Sequence, residues 1–205
     1  MLDALLSSPI ASAAAALLFG YLCGSIPFGV IFTRLAGTQD LRTVGSGNIG
    51  ATNVLRSGHK ALAAATLIGD MLKGTAAVLA VLCFLGRNQA LAAGLAAFLG
   101  HLFPVWLRFK GGKGVATLLG ILIPLLPIAA VIYAVVWLGL LATVRISSVA
   151  GMAAAVSAPI SGAVLGPDYL FPMLLGFALL VVWKHRVNIA RLAAGTEPRI
   201  GKSGV

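Results

Sequence analysis

Carboxylates are scarce in this sequence, which has five acidic residues against fifteen lysines and arginines and a formal net charge of +10. The five acids are Asp3, Asp40, Asp70, Asp168 and Glu197. Magnesium and calcium are held mainly by carboxylate and carbonyl oxygens, so we expect no dedicated magnesium site. Neither His59 nor His101 stands at zinc-ligand spacing from a cysteine or an acid. The sequence therefore predicts a protein without a metal and without a cofactor.

Cysteine and charge are also sparse. The two cysteines, Cys23 and Cys83, lie inside apolar runs, which predicts small buried side chains and no disulfide. Charged residues make up 10% of the chain and hydrophobic residues 60%, whereas soluble domains contain about 25% charged residues. The cations are scattered over short segments with few aromatic residues among them, which argues against nucleic-acid binding. The composition indicates a membrane protein.

Long apolar runs account for most of the chain. They cover residues 10–32, 61–85, 90–107, 117–143, 147–165 and 169–183. An apolar stretch of about 20 residues crosses a bilayer as a helix, and the first run is too long for the core of a cleaved signal peptide. Asp3 is the only charge before this run and Arg34 and Arg42 follow it. The positive-inside rule therefore predicts an N-terminus outside and residues 34–60 in the cytoplasm.

The number of spans depends on residues 117–143, which are interrupted by Pro124 and Pro127. Proline disrupts a helix interior, so this run is predicted to form two short spans. Seven spans result, and the cations after residue 183 then face the cytoplasm. If residues 117–143 instead form one span and residues 147–165 do not cross the membrane, five spans and the same cytoplasmic tail result. We prefer seven, and predict an all-α polytopic membrane protein with a single domain over residues 1–205, a seven-transmembrane-helix bundle with a cytoplasmic C-terminus.

Four polar segments emerge at the same predicted cytoplasmic face. They are "SGNIGATNVLR" (residues 46–56), "RFKGGKGVAT" (108–117), "TVRISS" (143–148) and "HRVNIARL" (185–192). They share glycine-freed backbone amides, hydroxyls, carboxamides and cations, which are the groups that bind phosphate. Asp70 and Lys73 lie one turn apart inside the second run. Charges inside a membrane often mark functional sites, but a pair that neutralises itself is slightly favoured here.

Each segment also has a plainer interpretation when it is taken alone. The glycines at 45, 47 and 50 could serve only to turn the chain, and "KGGKG" lacks the full spacing of a phosphate loop. Ser147 and Ser148 could cap a helix. His185 in "WKHR" is in most proteins an interfacial anchor rather than a catalytic group. The phosphate interpretation therefore depends on the four segments together.

Together these segments resemble one family, the bacterial membrane glycerol-3-phosphate acyltransferases that use acyl-phosphate as donor. The resemblance covers nearly the whole chain through "GSIPFG", "SGNIGATNVLR", "DMLKG", "GHLFPVWLRFKGGKGVAT", the serine pair after Thr143 and "HRVNIARLAAGTE". It implies a seven-helix bundle in the bacterial cytoplasmic (inner) membrane, with the active site at the cytoplasmic face. It also implies acyl transfer from acyl-phosphate to the 1-hydroxyl of sn-glycerol 3-phosphate. The products are lysophosphatidic acid and phosphate, with no acyl-CoA or acyl carrier protein required.

Residue roles follow from these motifs. The predicted substrate-binding residues are Ser46, Gly47, Asn48, Gly50, Thr52, Asn53, Arg56, Lys110, Gly111, Gly112, Gly114, Thr117 and Ser147, and the predicted catalytic residues are Lys113, Ser148, His185 and Asn188. Arg56, Ser46 and Lys113 are assigned to the glycerophosphate group. The "GGKG" backbone, with Asn48, Thr52, Asn53 and the serine pair, is assigned to the acyl-phosphate. His185 and Asn188 complete the pocket wall or orient the acceptor.

The general base is left open between two groups. Asp70 is expected to be neutralised by Lys73, and Asp40 and Glu197 flank the motifs rather than lying in them. His185 is a weak candidate because two cations flank it. The preferred alternative is substrate assistance, in which the departing phosphate accepts the proton of the acceptor hydroxyl.

An anion or phosphate transporter is the main rival function. It would also place cations and glycines in a membrane, but it predicts inverted repeats and broken helices that meet at the midplane. We find no paired repeat, and the polar segments collect at one predicted face. A structural subunit that binds anionic lipid would need the cations but not the Asn, Thr and Gly residues at fixed places. Acyl transfer is therefore favoured.

Overall fold

A computed structural model describes residues 8–44 and 46–201, and within these ranges the regular structure is helical, with no strand. The helices are α1 (Pro9–Gly24), α2 (Phe28–Leu35), α3 (Ala51–Arg56), α4 (Lys60–Leu85), α5 (Arg87–Leu102), a 3₁₀ turn (Val105–Leu107), α6 (Val115–Leu125), α7 (Pro127–Thr143), α8 (Ser147–Leu165), α9 (Leu170–Lys184) and α10 (Arg186–Ala193). Asp3 and Gly45, which entered the predictions above, lie outside the described residues.

Four helical segments of the described chain are long and apolar enough to cross a membrane. They are Pro9–Leu35, Lys60–Leu85, Arg87–Leu107 and Ser147–Leu165. A fifth span results if α9 and α10, which meet at a 56° bend, are counted together. α6 and α7 are apolar but shorter. The protein is thus an all-helical, multi-pass membrane protein, while the seven-span count and the orientation of the termini stay predictions.

Prolines break the apolar runs at two places. The predicted break within residues 117–143 is confirmed, because α6 ends at Leu125 and α7 begins at Pro127. Proline in a first turn costs no hydrogen bond. The first run, predicted as continuous, is also broken, because α1 ends at Gly24 and α2 begins at Phe28, immediately after Pro27. This second break exposes backbone carbonyl groups that side chains from other elements must satisfy.

Contacts divide the chain into two compact units, residues up to 125 and residues from 126 onward. In the first unit α1 packs along α5, and α4 packs against both α5 and α6. The α1–α5 approach needs glycine, since a Cβ atom at Gly24 would overlap the backbone of Ala97. In the second unit α8 packs between α7 and α9. The buried face of α8 is lined mostly by alanine and glycine, as membrane helix contacts commonly are.

The predicted burial of the cysteines is wrong. Cys23 is half-buried and Cys83 is exposed, and both are free thiols. Cys83 precedes Phe84, which is 86% exposed. In a membrane protein such exposed apolar surface faces lipid, so an apolar run alone does not separate core residues from lipid-facing ones.

Candidate functional site

Asn53 links residues 40–44 to residues 46–56, the first polar segment, and the two ranges are here called the Asn53 loop. Its side chain is buried, and its Oδ1 accepts hydrogen bonds from the backbone amide of Ser46 at 3.1 Å and from the Ser46 hydroxyl at 3.4 Å. Its Nδ2 donates to the carbonyls of Leu41 at 2.9 Å and Val44 at 3.0 Å. The polar groups of Asn53 therefore shape the loop, and the side chain links Ser46 to the short helix that ends at Arg56.

The rest of the Asn53 loop turns into α3 and is anchored by apolar contacts. Asn48 Oδ1 accepts a hydrogen bond from the Gly50 amide at 2.8 Å, and Gly47 has a φ of +68°, which favours glycine. Ile49 is buried, and a Cβ atom at Gly29 of α2 would overlap its carbonyl. The loop is thus seated on α2, while Ser46, Gly47 and Arg56 are exposed and Thr52 is half-buried.

Asp40 lies in the same loop but is committed to an ion pair. Its carboxylate accepts hydrogen bonds from the Arg42 side chain, with an Arg42 Nη2 to Asp40 Oδ2 distance of 2.6 Å. These hydrogen bonds lower the pKa of Asp40 to about 2. A carboxylate with so low a pKa is a poor proton acceptor at neutral pH.

The second polar segment, residues 108–114, here called the glycine loop, lies against the end of α5. The Gly112 amide donates to the His101 carbonyl at 3.0 Å, and the Gly111 amide donates to the Leu102 carbonyl at 3.2 Å. A Cβ atom at Gly112 would overlap the His101 imidazole. The end of α5 thus lies directly against the backbone of the glycine loop, where a side chain at residue 112 would not fit.

The glycine loop carries two lysines and leads to a buried hydroxyl in α6. Lys110 is exposed and Lys113 is half-buried. Gly114, with a φ of +90°, leads into α6 at Val115. Thr117 is fully buried in the first turn of α6, and its hydroxyl has no hydrogen-bond partner among the described residues. An unpaired buried hydroxyl is costly, so this atom is a natural place for a ligand or water contact.

The predicted pairing of Asp70 with Lys73 is confirmed, with Lys73 Nζ 2.7 Å from Asp70 Oδ1 in the interior of α4. A third group joins it that the sequence did not indicate. His101 Nδ1, on α5, lies 3.7 Å from the same Asp70 oxygen. We call these three residues the buried charge cluster.

Glu197 is the centre of a second cluster, in the unit that begins at residue 126. Its Oε1 accepts hydrogen bonds from the Ser148 hydroxyl at 2.8 Å and from Asn188 Nδ2 at 2.6 Å. Its Oε2 accepts from Arg191 Nε at 2.7 Å. We call these four residues the Glu197 cluster. It joins the start of α8, the helix α10 and the segment after α10.

Glu197 flanks the motifs in the sequence, but in the structure it contacts residues of two of the polar segments. The chain turns back at Gly195, whose φ is +70°, and the Ile200 amide donates to the Arg145 carbonyl at 2.7 Å. Burial by itself raises the pKa of Glu197, but the hydrogen bonds from Arg191, Asn188 and Ser148 outweigh it and leave the pKa lowered. Glu197 is thus held as a carboxylate, which suits a structural acceptor better than an acid or base.

Ser147 and Ser148 open α8, and His185 lies where α9 turns into α10. The N-cap residue of α8 is Ile146, which makes no side-chain cap hydrogen bond, so the serine pair lies in the first turn rather than at the N-cap position. Ser147 is half-buried. His185 is buried at the bend between α9 and α10, and its Nδ1 lies 2.8 Å from the Val181 carbonyl. Because a carbonyl only accepts, Nδ1 carries the hydrogen and Nε2 is the basic nitrogen of the neutral ring.

The predicted residues thus fall into compact sets within each unit. In the first unit, residues 46–56 belong to the Asn53 loop and its helix α3, and residues 110–117 run from the glycine loop into α6. In the second unit, Ser148 and Asn188 share the Glu197 carboxylate, and His185 begins the turn into the helix that carries Asn188. Among the described residues no group of three or more His, Cys, Asp or Glu is arranged to hold a metal ion.

Sequence comparisons point to one family. A family model described as glycerol-3-phosphate acyltransferase matches residues 14–195. The glycerol-3-phosphate acyltransferase of Methylorubrum populi is 57% identical over 190 residues, covering 93% of this chain and 94% of that relative. That of Rhodopseudomonas palustris is 56% identical over 188 residues, covering 92% of this chain and 95% of that relative.

Solved structures agree with these relatives. The chain is similar to PlsY (YgiH), described as an integral membrane glycerol 3-phosphate acyltransferase, in its glycerol 3-phosphate form, with a TM-score of 0.87 at 41% identity. The lysophosphatidic acid form of PlsY gives a TM-score of 0.85 at 39% identity. Each comparison covers 93% of this chain and 96% of the solved one.

Proposed function

The chain belongs to the glycerol-3-phosphate acyltransferase family, and on this premise we propose that it moves a fatty acyl group from acyl-phosphate to the 1-hydroxyl of sn-glycerol 3-phosphate. The products are 1-acyl-sn-glycerol 3-phosphate and inorganic phosphate, which makes this the first acylation of phospholipid biosynthesis. The observation that carries the proposal is the likeness, over 93% of the chain, to an acyltransferase solved in glycerol 3-phosphate and lysophosphatidic acid forms. No observation favours the transporter.

The donor is proposed from the chemistry of the polar segments. Acyl-phosphate is a mixed anhydride, so the acceptor oxygen attacks its carbonyl carbon, the carbon–oxygen bond to phosphate breaks, and inorganic phosphate leaves. Both substrates then carry a phosphate, and the two loops of the first unit supply Arg56, Lys110 and Lys113 together with glycine-rich backbone. Proximity and charge stabilisation can each supply several kcal/mol to such a reaction, and no covalent acyl-enzyme is needed.

Arg56, Ser46 and Lys113 are proposed to contact the glycerophosphate group. In support, Asn53 fastens the Ser46 backbone to α3, which ends at Arg56, so the two groups belong to one folded loop. The backbone of residues 111–114, with Asn48, Thr52, Ser147 and Ser148, is proposed to hold the acyl-phosphate. Asn53 is kept among the acyl-phosphate residues because its hydrogen bonds shape the loop that carries Asn48 and Thr52.

His185 and Asn188 are proposed to orient the acceptor at a site on the cytoplasmic face of the inner membrane. The support for this proposal is that both side chains are held in place by their neighbours. Asn188 is buried and fixed by Glu197, and His185 directly precedes the helix that carries it. Side chains held in this way keep their geometry when substrate binds.

The acids of the described chain are poor candidates for the general base. Asp40 is paired with Arg42, Asp70 is buried against Lys73, and three donors hold Glu197. Asp168 follows α8 at the end opposite Ser148. Two proton acceptors remain, the departing phosphate and His185 Nε2, and we prefer the phosphate.

Replacing His185 with glutamine separates these two acceptors. If the departing phosphate takes the proton, kcat should fall by less than about tenfold, because only a wall of the site changes. A histidine base would contribute about 10²- to 10⁴-fold, so a near-total loss in a folded protein contradicts substrate assistance. The measurement is kcat at saturating substrates. His59→Gln, an exposed histidine outside the site, is the matched control.

The donor itself is tested with purified protein in lipid. Given acyl-phosphate and glycerol 3-phosphate, it should release one phosphate for each single-chain lipid formed. Acyl-CoA or acyl carrier protein carrying the same chain should give no product above background. Acylation from acyl-CoA at a comparable rate would reject the proposed donor but leave the family intact. Phosphate uptake into vesicles without new lipid would favour the transporter instead.

A further inference from the structure

The buried charge cluster contains more ionisable groups than neutralisation requires. The side chains of Asp70, Lys73 and His101 are 4%, 2% and 4% exposed, inside helices that cross the membrane. Buried charges are costly unless they are paired. Asp70 and Lys73 already neutralise each other at 2.7 Å. His101, 3.7 Å from Asp70, is therefore not required for neutralisation, and its presence in the cluster has another explanation.

Lys73 also makes a second contact, at the break between α1 and α2. Its Nζ donates to the Ile26 carbonyl at 2.7 Å. The neighbouring Ser25 carbonyl accepts a hydrogen bond from Trp106 Nε1 at 2.8 Å, from the 3₁₀ turn that precedes the glycine loop. The carbonyls freed by the broken helix are thus satisfied by the charge cluster and by the approach to the glycine loop. The break, α4 and the turn are held as one arrangement.

His101 makes its second contact with the glycine loop. Its carbonyl accepts the Gly112 amide at 3.0 Å, and its ring lies so close that a Cβ atom at Gly112 would overlap Nε2. The other ring nitrogen, Nδ1, faces Asp70. The imidazole therefore stands between the charged pair and the loop backbone, one residue before Lys113.

We propose that Asp70, Lys73 and His101 are positioning residues for Lys113. Lys73 and Asp70 fix the His101 ring, and the ring fixes the backbone on which Lys113 is carried. The proposal rests on the proposed function, because it is the reaction that gives Lys113 a phosphate to contact. A group that stabilises a transition state must be held within about 0.5 Å of its productive position, so loosening this support should alter catalysis before it unfolds the protein.

A double-mutant cycle across the ring and the loop tests this support. The variants are His101→Ala, Gly112→Ala and the two combined. For each, kcat and KM for both substrates are measured together with the thermal midpoint in detergent. Gly112→Ala should lower kcat/KM by tenfold or more, since its Cβ displaces the loop. His101→Ala should also lower kcat/KM by tenfold or more, because it removes the ring against which the glycine loop packs. Its thermal midpoint should stay close to that of the wild type.

The combined variant carries the sharpest expectation. His101→Ala removes the atoms that a Cβ at residue 112 would meet. The fold-loss of kcat/KM in the double variant should therefore be at least fivefold smaller than the product of the two single fold-losses. Ser12→Ala is the matched control. Ser12 is buried and accepts a hydrogen bond from Gln89 at 3.3 Å, at the opposite end of α5 from His101. This variant should keep wild-type kcat/KM.

Three results would overturn the proposal. They are wild-type kinetic constants in His101→Ala, an unimpaired Gly112→Ala, and a double variant whose losses simply multiply. If His101→Ala does not fold, His101→Asn replaces it in the same cycle. Failure of the proposed function is recognised separately, because wild-type protein would then form no lipid product. The thermal midpoints of the four proteins would still measure the contact between ring and loop, and additive shifts there would reject it.

Discussion

Lys113→Ala is expected to lower kcat/KM by about 30- to 1000-fold while the protein stays folded. This range corresponds to about 2–4 kcal/mol of transition-state stabilisation, which is typical of a group that meets developing charge. Lys113 is half-buried and follows Gly111 and Gly112, whose amides donate to carbonyls at the end of α5. The backbone position from which its side chain extends is therefore fixed. The measurement is steady-state acylation with each substrate varied in turn.

Arg56→Ala is expected to give a loss in the same range. Arg56 ends the short helix that Asn53 fastens to Ser46. Arg56→Lys separates charge from shape, because only the guanidinium binds phosphate through two parallel hydrogen bonds, so lysine should restore part of the rate. Arg34→Ala is the control for both cations, since it removes one exposed charge outside the two loops. Wild-type rates in Lys113→Ala or Arg56→Ala would remove that residue from the phosphate site.

Glu197→Ala is expected to have the largest effect on folding. It would leave the Ser148 hydroxyl, the Asn188 amide and the Arg191 guanidinium without the carboxylate that they share. Leaving a buried polar group without its hydrogen-bond partner costs about 1–3 kcal/mol, and Ser148 and Asn188 are both buried. We expect a lower thermal midpoint and little active protein, measured by size-exclusion chromatography and thermal unfolding in detergent. Arg199→Ala, exposed in the same segment, should leave both unchanged, and a folded, fully active Glu197→Ala protein contradicts the assignment.

Lowering the pH should protonate Glu197 and weaken the hydrogen bonds of the Glu197 cluster. Because the pKa of Glu197 is lowered in the folded protein, its contribution to stability is complete above the unfolded value of about 4.3. The contribution is lost as the pH falls through the lower folded value. Glu197→Gln, which cannot ionise, should be less stable at neutral pH and should lose less stability between neutral pH and pH 3. If this variant loses as much stability between neutral pH and pH 3 as the wild type does, Glu197 has the same pKa in the folded and unfolded protein.

Some of this structure follows from local sequence alone. Pro124 and Pro127 predicted the break between α6 and α7, because a proline removes a backbone donor and its ring clashes with the preceding turn. Asp70 and Lys73 were predicted to pair because a spacing of three residues places them on one helix face. Family motifs led to the fold and the acyltransferase family because they name many residues in a fixed order.

Other features depend on how distant segments meet. Glu197 reaches Ser148 across 49 residues, and no local pattern in the sequence records that approach. His101 appeared as an isolated histidine, since its partners lie on α4 and in the glycine loop. Cys83 was misplaced because lipid-facing and core-facing positions are both apolar, so hydropathy gives them the same value.

The long reach of Glu197 sets an order of assembly during translation. Ser148 leaves the ribosome 49 residues ahead of Glu197, an interval of roughly 2–10 s at about 5–20 residues per second. During that time α8 can already enter the bilayer, while its first turn still lacks a carboxylate. The Glu197 cluster therefore forms late, and a nascent chain stalled before Glu197 would occupy the membrane without the carboxylate that Ser148, Asn188 and Arg191 share.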